Sequence, residues 1–96
     1  MIFLHVSDTH GPIPLAKLPT DFDVLCHTGD WAPEPSARYP DRGIVAPYQM
    51  EFFRYEARAL AAFLGERPLV FCLGNHDVLS EAWVERDLNA AGVNAF

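Results

Sequence analysis

Three short polar clusters hold the ligand-type residues of this 96-residue chain: Asp8-Thr9-His10, Gly29-Asp30 and Gly74-Asn75-His76-Asp77. Residues two apart on an extended segment share a face. Asp8 and His10 can therefore present a carboxylate oxygen and an imidazole nitrogen to one cation. Asp30, with two carboxylate oxygens, can bridge that cation to a second, and Asn75 offers the second a neutral amide oxygen. Two cations about 3.5 to 4 Å apart activate a water and stabilise the leaving oxygen of an in-line displacement at phosphorus. His76 follows a ligand in sequence and is expected to face substrate, where an imidazolium protonates the departing alkoxide; Asp77 beside it favours that charged form. This reading assigns Asp8, His10, Asp30 and Asn75 to metals and His76 and Asp77 to catalysis.

Charge supports a phosphate-ester substrate. The chain carries a formal net charge of −6, yet two divalent cations held mainly by Asp8 and Asp30 leave a locally positive site. Carboxylate, imidazole and amide ligands together suit Mn, Fe, Zn, Co or Ni without choosing among them. The same acidity argues against non-specific nucleic-acid binding, which needs a basic surface. No apolar run approaches the roughly 20 residues of a membrane span, and no leader pattern opens the chain, so no membrane partner and a cytoplasmic location are expected. Half of the residues are hydrophobic, enough for one small globular domain. Cys26 and Cys72 make no disulfide framework and read as buried thiols.

The elements that must position these clusters follow from the apolar pattern. Runs at residues 2–6, 24–27 and 69–73 read as strands, the first apolar nearly throughout as if covered on both faces. Each ends at one of the polar clusters. Gly11 and prolines 12, 14 and 19 predict an extended link between the first two strands. An irregular stretch over 31–47 is long enough to be a lid or binding loop; Arg38, Arg42 and Arg54 could approach a phosphate if it folded over the crevice, but such arginines are more often simply solvated. Pro47 suits the first turn of a helix in which Phe53, Ala57, Leu60 and Leu64 recur at helical spacing, ending at Gly65. Phe52, Phe53, Tyr55 and Phe63 read as core packing. Ser80 caps a second helix running to about Ala90, with Glu81 in its first turn and Gly92 as its stop. Residues 93–96 resemble the opening of a fourth strand. The order indicates an α/β fold with a largely parallel sheet, whose ligands gather beyond the carboxyl ends of the strands.

Taken singly, each cluster has an ordinary explanation. Aspartates at strand ends commonly cap turns, and a polar tetrapeptide before Ser80 suits a plain loop. All three in order, each closing an apolar run, favour the metal reading. His5 and His27 precede their clusters while still inside strands and read as hydrogen-bonded interior histidines.

The runs Val6-Ser7-Asp8-Thr9-His10-Gly11, His27-Thr28-Gly29-Asp30 and Gly74-Asn75-His76-Asp77 resemble the first three blocks of the calcineurin-like metallophosphoesterase family, over nearly the whole chain. The resemblance implies a four-layer αββα sandwich, with residues 1–96 as its amino-terminal half. It implies hydrolysis of phosphomonoesters or phosphodiesters by two divalent metal ions, with the same roles for Asp8, His10, Asp30, Asn75 and His76. The family's later histidine blocks have no counterpart after Asp77. A completing segment or subunit is therefore expected, a second copy of the chain included, and one sheet face or edge should be apolar and exposed. The alternative expectation is a non-catalytic interaction module that keeps the half-fold for packing.

Overall fold

All three apolar runs form strands of one parallel sheet in the computed structural model, which describes residues 1–33, 42–74, 77 and 79–96, without the side chains of 42–44. The strands β1 (Phe3–Val6), β2 (Val24–His27) and β3 (Leu69–Phe71) lie in the order β1-β2-β3. Leu4 pairs with Leu25, Val6 with His27, and Leu25 in turn with Leu69. Beyond β3 the expected fourth strand begins as a single parallel bridge between Leu69 and Ala95. Its hydrogen bonds run from Leu69 N to Asn94 O and from Phe96 N to Leu69 O, each 2.9 Å.

Two helices cover one face of this sheet, so the fold is α/β. The first, α1 (Arg42–Leu64), starts earlier than Pro47 suggests. The proline sits inside it and deprives the carbonyl four residues earlier of its helical donor. The rest of the helix follows its predicted pattern: Phe53, Ala57, Leu60 and Leu64 are all buried, and Gly65 stops the helix with φ +60°. The second, α2 (Glu81–Ala90), is capped by the Ser80 hydroxyl, which accepts from Trp83 N at 3.2 Å. It closes with Val93 N on Leu88 O and Gly92 N on Asn89 O, a six-to-one and five-to-two pair that uses the left-handed Gly92. The extended link after β1 carries only a short 3-10 turn at Leu15–Lys17. No helix among the described residues is long and apolar enough to cross a membrane.

At the centre of the core is Trp31, wholly buried among Leu25, Phe53, Leu60, Leu69, Phe71, Val84 and Leu88. Phe53 and Phe71 meet its ring edge-on at centroid distances of 5.1 and 5.9 Å. Its indole N–H donates to Glu56 Oε2 at 2.9 Å, and the same oxygen accepts from Ile13 N at 2.9 Å. Burial pushes the Glu56 carboxyl above its ordinary value, against the pull of those two bonds. Trp31 thus belongs to the core rather than to the loop in which the sequence placed it. Residues 34–41 of that loop, Arg38 among them, lie outside the described residues, as does the Arg42 side chain. Arg54 is exposed on α1.

Among the described residues no helix covers the opposite face of the sheet, although Val24 in the central strand is buried there. Strand alternation sends Leu4, Leu25, His27, Leu69 and Phe71 toward the helices and Phe3, His5, Cys26 and Val70 away. Phe3 is 61% exposed and Val70 45%. The exposure of Phe3 corrects the reading of β1 as covered on both sides. Three residue assignments are corrected as well. His5 is exposed, bonding Thr28 Oγ1 through Nε2 at 2.7 Å; Cys26 is only half-buried, and Cys72, just past β3, is exposed. Tyr55 too faces solvent, on the outer side of α1, while Phe52 and Phe63 pack against the core as expected.

Candidate metal centre

Beyond the strands, the backbone ladder continues into the polar loops. Asp8 N donates to Gly29 O at 2.9 Å, His10 N to Asp30 O at 3.0 Å and Gly11 N to Trp31 O at 2.8 Å. Neighbouring parallel strands therefore deliver the first two clusters side by side. Asp8, His10 and Asp30 each bring one ligand atom into a group whose atoms lie within 4.8 Å of one another. Metal bonds of about 2.0 to 2.2 Å to nitrogen or oxygen place ligands at most roughly 4.4 Å apart, so closure by a few tenths of an ångström suffices. Two carboxylates and one imidazole are a donor set that fits a divalent cation.

The three residues share a backbone state. Asp8, His10 and Asp30 have φ values of +52°, +46° and +50°, and among the described residues they are the non-glycine positions with positive φ. The sequence reading placed Asp8 and His10 on an extended segment; the loop instead turns left-handed at both. This region crowds the β-carbon of an L-residue and is sparsely populated, although Asp and His tolerate it better than most. Such strain collects at functional sites, where surrounding bonds hold it in place. Here the ladder to Gly29, Asp30 and Trp31 supplies that restraint.

Asp8 is exposed, and the Ser7 hydroxyl donates to its Oδ2 at 2.5 Å. That bond, opposed by partial desolvation, holds the carboxyl below its ordinary value of 3.8. The carboxylate is therefore ionised at neutral pH.

The third cluster docks on the second through its first and last residues. A β-carbon on Gly29 would lie 3.0 Å from Gly74 N, and one on Gly74 would lie 2.6 Å from Asp30 N and collide with the Asp30 carboxylate. Both positions require glycine for that close approach. Asp77 is buried, and its carboxylate accepts from Trp31 N at 3.1 and 3.2 Å, Ala32 N at 2.8 Å and Gly74 N at 2.9 Å. Among the described residues these amides are its hydrogen-bond donors. Asn75 and His76, the predicted second-metal ligand and leaving-group residue, lie outside the described residues.

Other residues at this end of the sheet were not singled out as functional. Thr9 is hidden between two stronger ligand types, and Ser7 directly precedes one. His27 was read correctly as an interior histidine, but its partners, Thr9 Oγ1 at 2.9 Å and Gly29 N at 3.2 Å, both belong to the ligand loops. The one signal in the sequence is its place, two residues before Gly29.

The fold is thus a parallel α/β sheet that gathers two carboxylates and an imidazole, a group able to hold a metal ion, beyond its strand ends. Comparison with family models matches calcineurin-like phosphoesterase over residues 1–95, and the chain belongs to that family. Comparisons with curated proteins and with solved structures give no match.

Proposed function

We propose that this chain provides the first cation site and the bridging carboxylate of a two-metal phosphoesterase acting on phosphomonoesters or phosphodiesters. The observation that carries the reading is the convergence of Asp8, His10 and Asp30 within 4.8 Å, each held in a left-handed conformation that a merely structural turn does not need in triplicate. Asp8 and His10 hold one cation, and Asp30 shares it with a second held by Asn75. Support for Asn75 comes from its flanks, since Gly74 abuts Asp30 and Asp77 is bonded to the backbone of Trp31 and Ala32. When bound, the metal pair supplies Lewis acidity toward a water and the phosphoryl oxygens. His76 donates a proton to the leaving oxygen, and Asp77 anchors the loop that carries it.

In this proposal the second cation needs ligands beyond Asp30 and Asn75, which come from a further segment or a partner subunit. The sheet face that no described helix covers also favours a second reading, an interaction module that uses the half-fold to bind its partner. Manganese titration by calorimetry and hydrolysis of an aryl phosphate, on the chain alone and with any co-purifying partner, separate the two. The phosphoesterase reading expects Mn²⁺ binding that Asp30→Ala abolishes, and turnover in the completed assembly. Neither binding nor turnover in that assembly would sink it, and an Asp30→Ala chain that keeps its partner and its effect would favour the module.

A further inference from the structure

His27 is a polar side chain buried where an apolar one would pack. Its ring faces the helices, has no exposed surface and stacks on Trp31 at a centroid distance of 4.6 Å and an interplanar angle of 15°. Burying an imidazole is unfavourable unless its nitrogens find partners. Both do, and the partners belong to different loops.

The two bonds determine where the proton sits. Gly29 N–H donates to Nδ1 at 3.2 Å, so Nδ1 is bare. The ring proton is then on Nε2, which faces Thr9 Oγ1 at 2.9 Å and donates to it. An imidazolium would turn a second donor toward Gly29 N–H and lose that bond. Burial agrees, lowering the His27 pKa to about 4. The ring therefore spans the two loops with a donor toward one and an acceptor toward the other. Thr9 stands between Asp8 and His10, and Gly29 immediately precedes Asp30.

We propose that His27 is a positioning residue whose neutral, Nε2-protonated ring fixes the Asp8–His10 loop against the Gly29–Asp30 loop and so sets the spacing of the cation ligands. The inference rests on the cation site proposed above. It concerns how that site is held, not what binds there. Thr9 is the other half of the device, since its hydroxyl is the contact through which the ring reaches the first loop. The backbone ladder between the loops fixes which residues face each other; the His27 bridge fixes the lateral position of the strained segment between Asp8 and His10.

Three variants of the full chain test this. His27→Gln can still reach Thr9 with an Nε2 donor, His27→Asn keeps an acceptor for Gly29 but is too short for Thr9, and Thr9→Val removes only the hydroxyl. Changing groups that orient metal ligands typically weakens binding about 10- to 100-fold. His27→Asn and Thr9→Val should raise the Mn²⁺ dissociation constant by about tenfold and speed amide exchange at His10 and Gly11, with exchange at Leu25 and Leu69 unchanged. His27→Gln should stay within about threefold of the unaltered protein, on the same scale. Nitrogen NMR of the His27 ring should show Nε2 protonated. Unchanged affinity and exchange in both His27→Asn and Thr9→Val would overturn the proposal, as would a proton on Nδ1 or a loss of protection that spreads equally to Leu25. If the unaltered protein binds no Mn²⁺, the cation site itself is refuted, and the exchange and tautomer measurements alone decide the loop linkage.

Discussion

Replacing Asp77 offers a quantitative check on how the second and third clusters are joined. Its carboxylate takes bonds from the amides of Trp31, Ala32 and Gly74. Trp31 and Ala32 have no exposed surface, so water cannot replace the lost acceptor there. Gly74 is only half-buried, and water can serve it. Each stranded buried amide costs about 1 to 3 kcal/mol, so Asp77→Ala should destabilise the fold by about 4 kcal/mol. A domain of this size has a total stability of roughly 5 to 14 kcal/mol, so the alanine variant keeps roughly 1 to 10 kcal/mol of it. Asp77→Asn keeps one acceptor oxygen but turns an amide donor toward the remaining N–H groups, and should cost about 2 kcal/mol. With a urea slope of about 1 kcal/mol per molar, the asparagine variant's midpoint falls by about 2 M. Urea unfolding followed by tryptophan fluorescence measures both. Losses under about 1 kcal/mol for both variants, too small for a stranded buried amide, would refute the reasoning. An asparagine variant with full stability and abolished turnover would show instead that Asp77 acts on His76.

Three further outcomes are expected. Between pH 6.5 and about 4 the folded His27 resists the proton that the unfolded chain accepts. Its contribution is intact above pH 6.5 and is lost as pH falls through that window, by at most about 3 kcal/mol; urea unfolding of metal-free protein across pH should show this slope, reduced in His27→Gln. At φ +50° glycine is better accommodated than alanine, so Asp30→Gly should be about 1 kcal/mol more stable than Asp30→Ala although neither binds Mn²⁺. Equal stability of the two would argue against a left-handed residue at this position. Gly74→Ala drives a methyl group into Asp30 and should weaken Mn²⁺ binding more than about tenfold, the range seen when ligand-orienting groups are disturbed. Calorimetric titration giving the unaltered affinity would show that the two loops do not touch this closely.

The sequence made the strands, the helix stops and the meeting of two ligand clusters legible because each depends on local pattern. Period and punctuation placed β1, β2 and α2, and the strand-end rule brought Asp8, His10 and Asp30 together. What depends on long-range packing was not legible. Pro47 reads as a helix start, since local preference cannot anticipate a helix that begins upstream and tolerates it. His5, Cys26 and Cys72 read as interior because an apolar strand does not reveal which of its faces is covered. Trp31 lies in a stretch rich in proline, and only the packing of Phe53 and Phe71 around it makes it the centre of the core. The left-handed turns were equally hidden, because Asp and His permit that conformation without announcing it.

Those turns also bear on how the chain can change over generations. At positions 8, 10 and 30 the backbone by itself would be best served by glycine, and an aspartate codon becomes a glycine codon through a single base change. A lineage selected for folding alone therefore has a short mutational path that relieves strain at Asp8 and Asp30 and erases their carboxylates. For these two codons, what folding rewards and what cation binding requires point in opposite directions. Glycine there would be an early mark of a copy that had kept its shape and given up its chemistry.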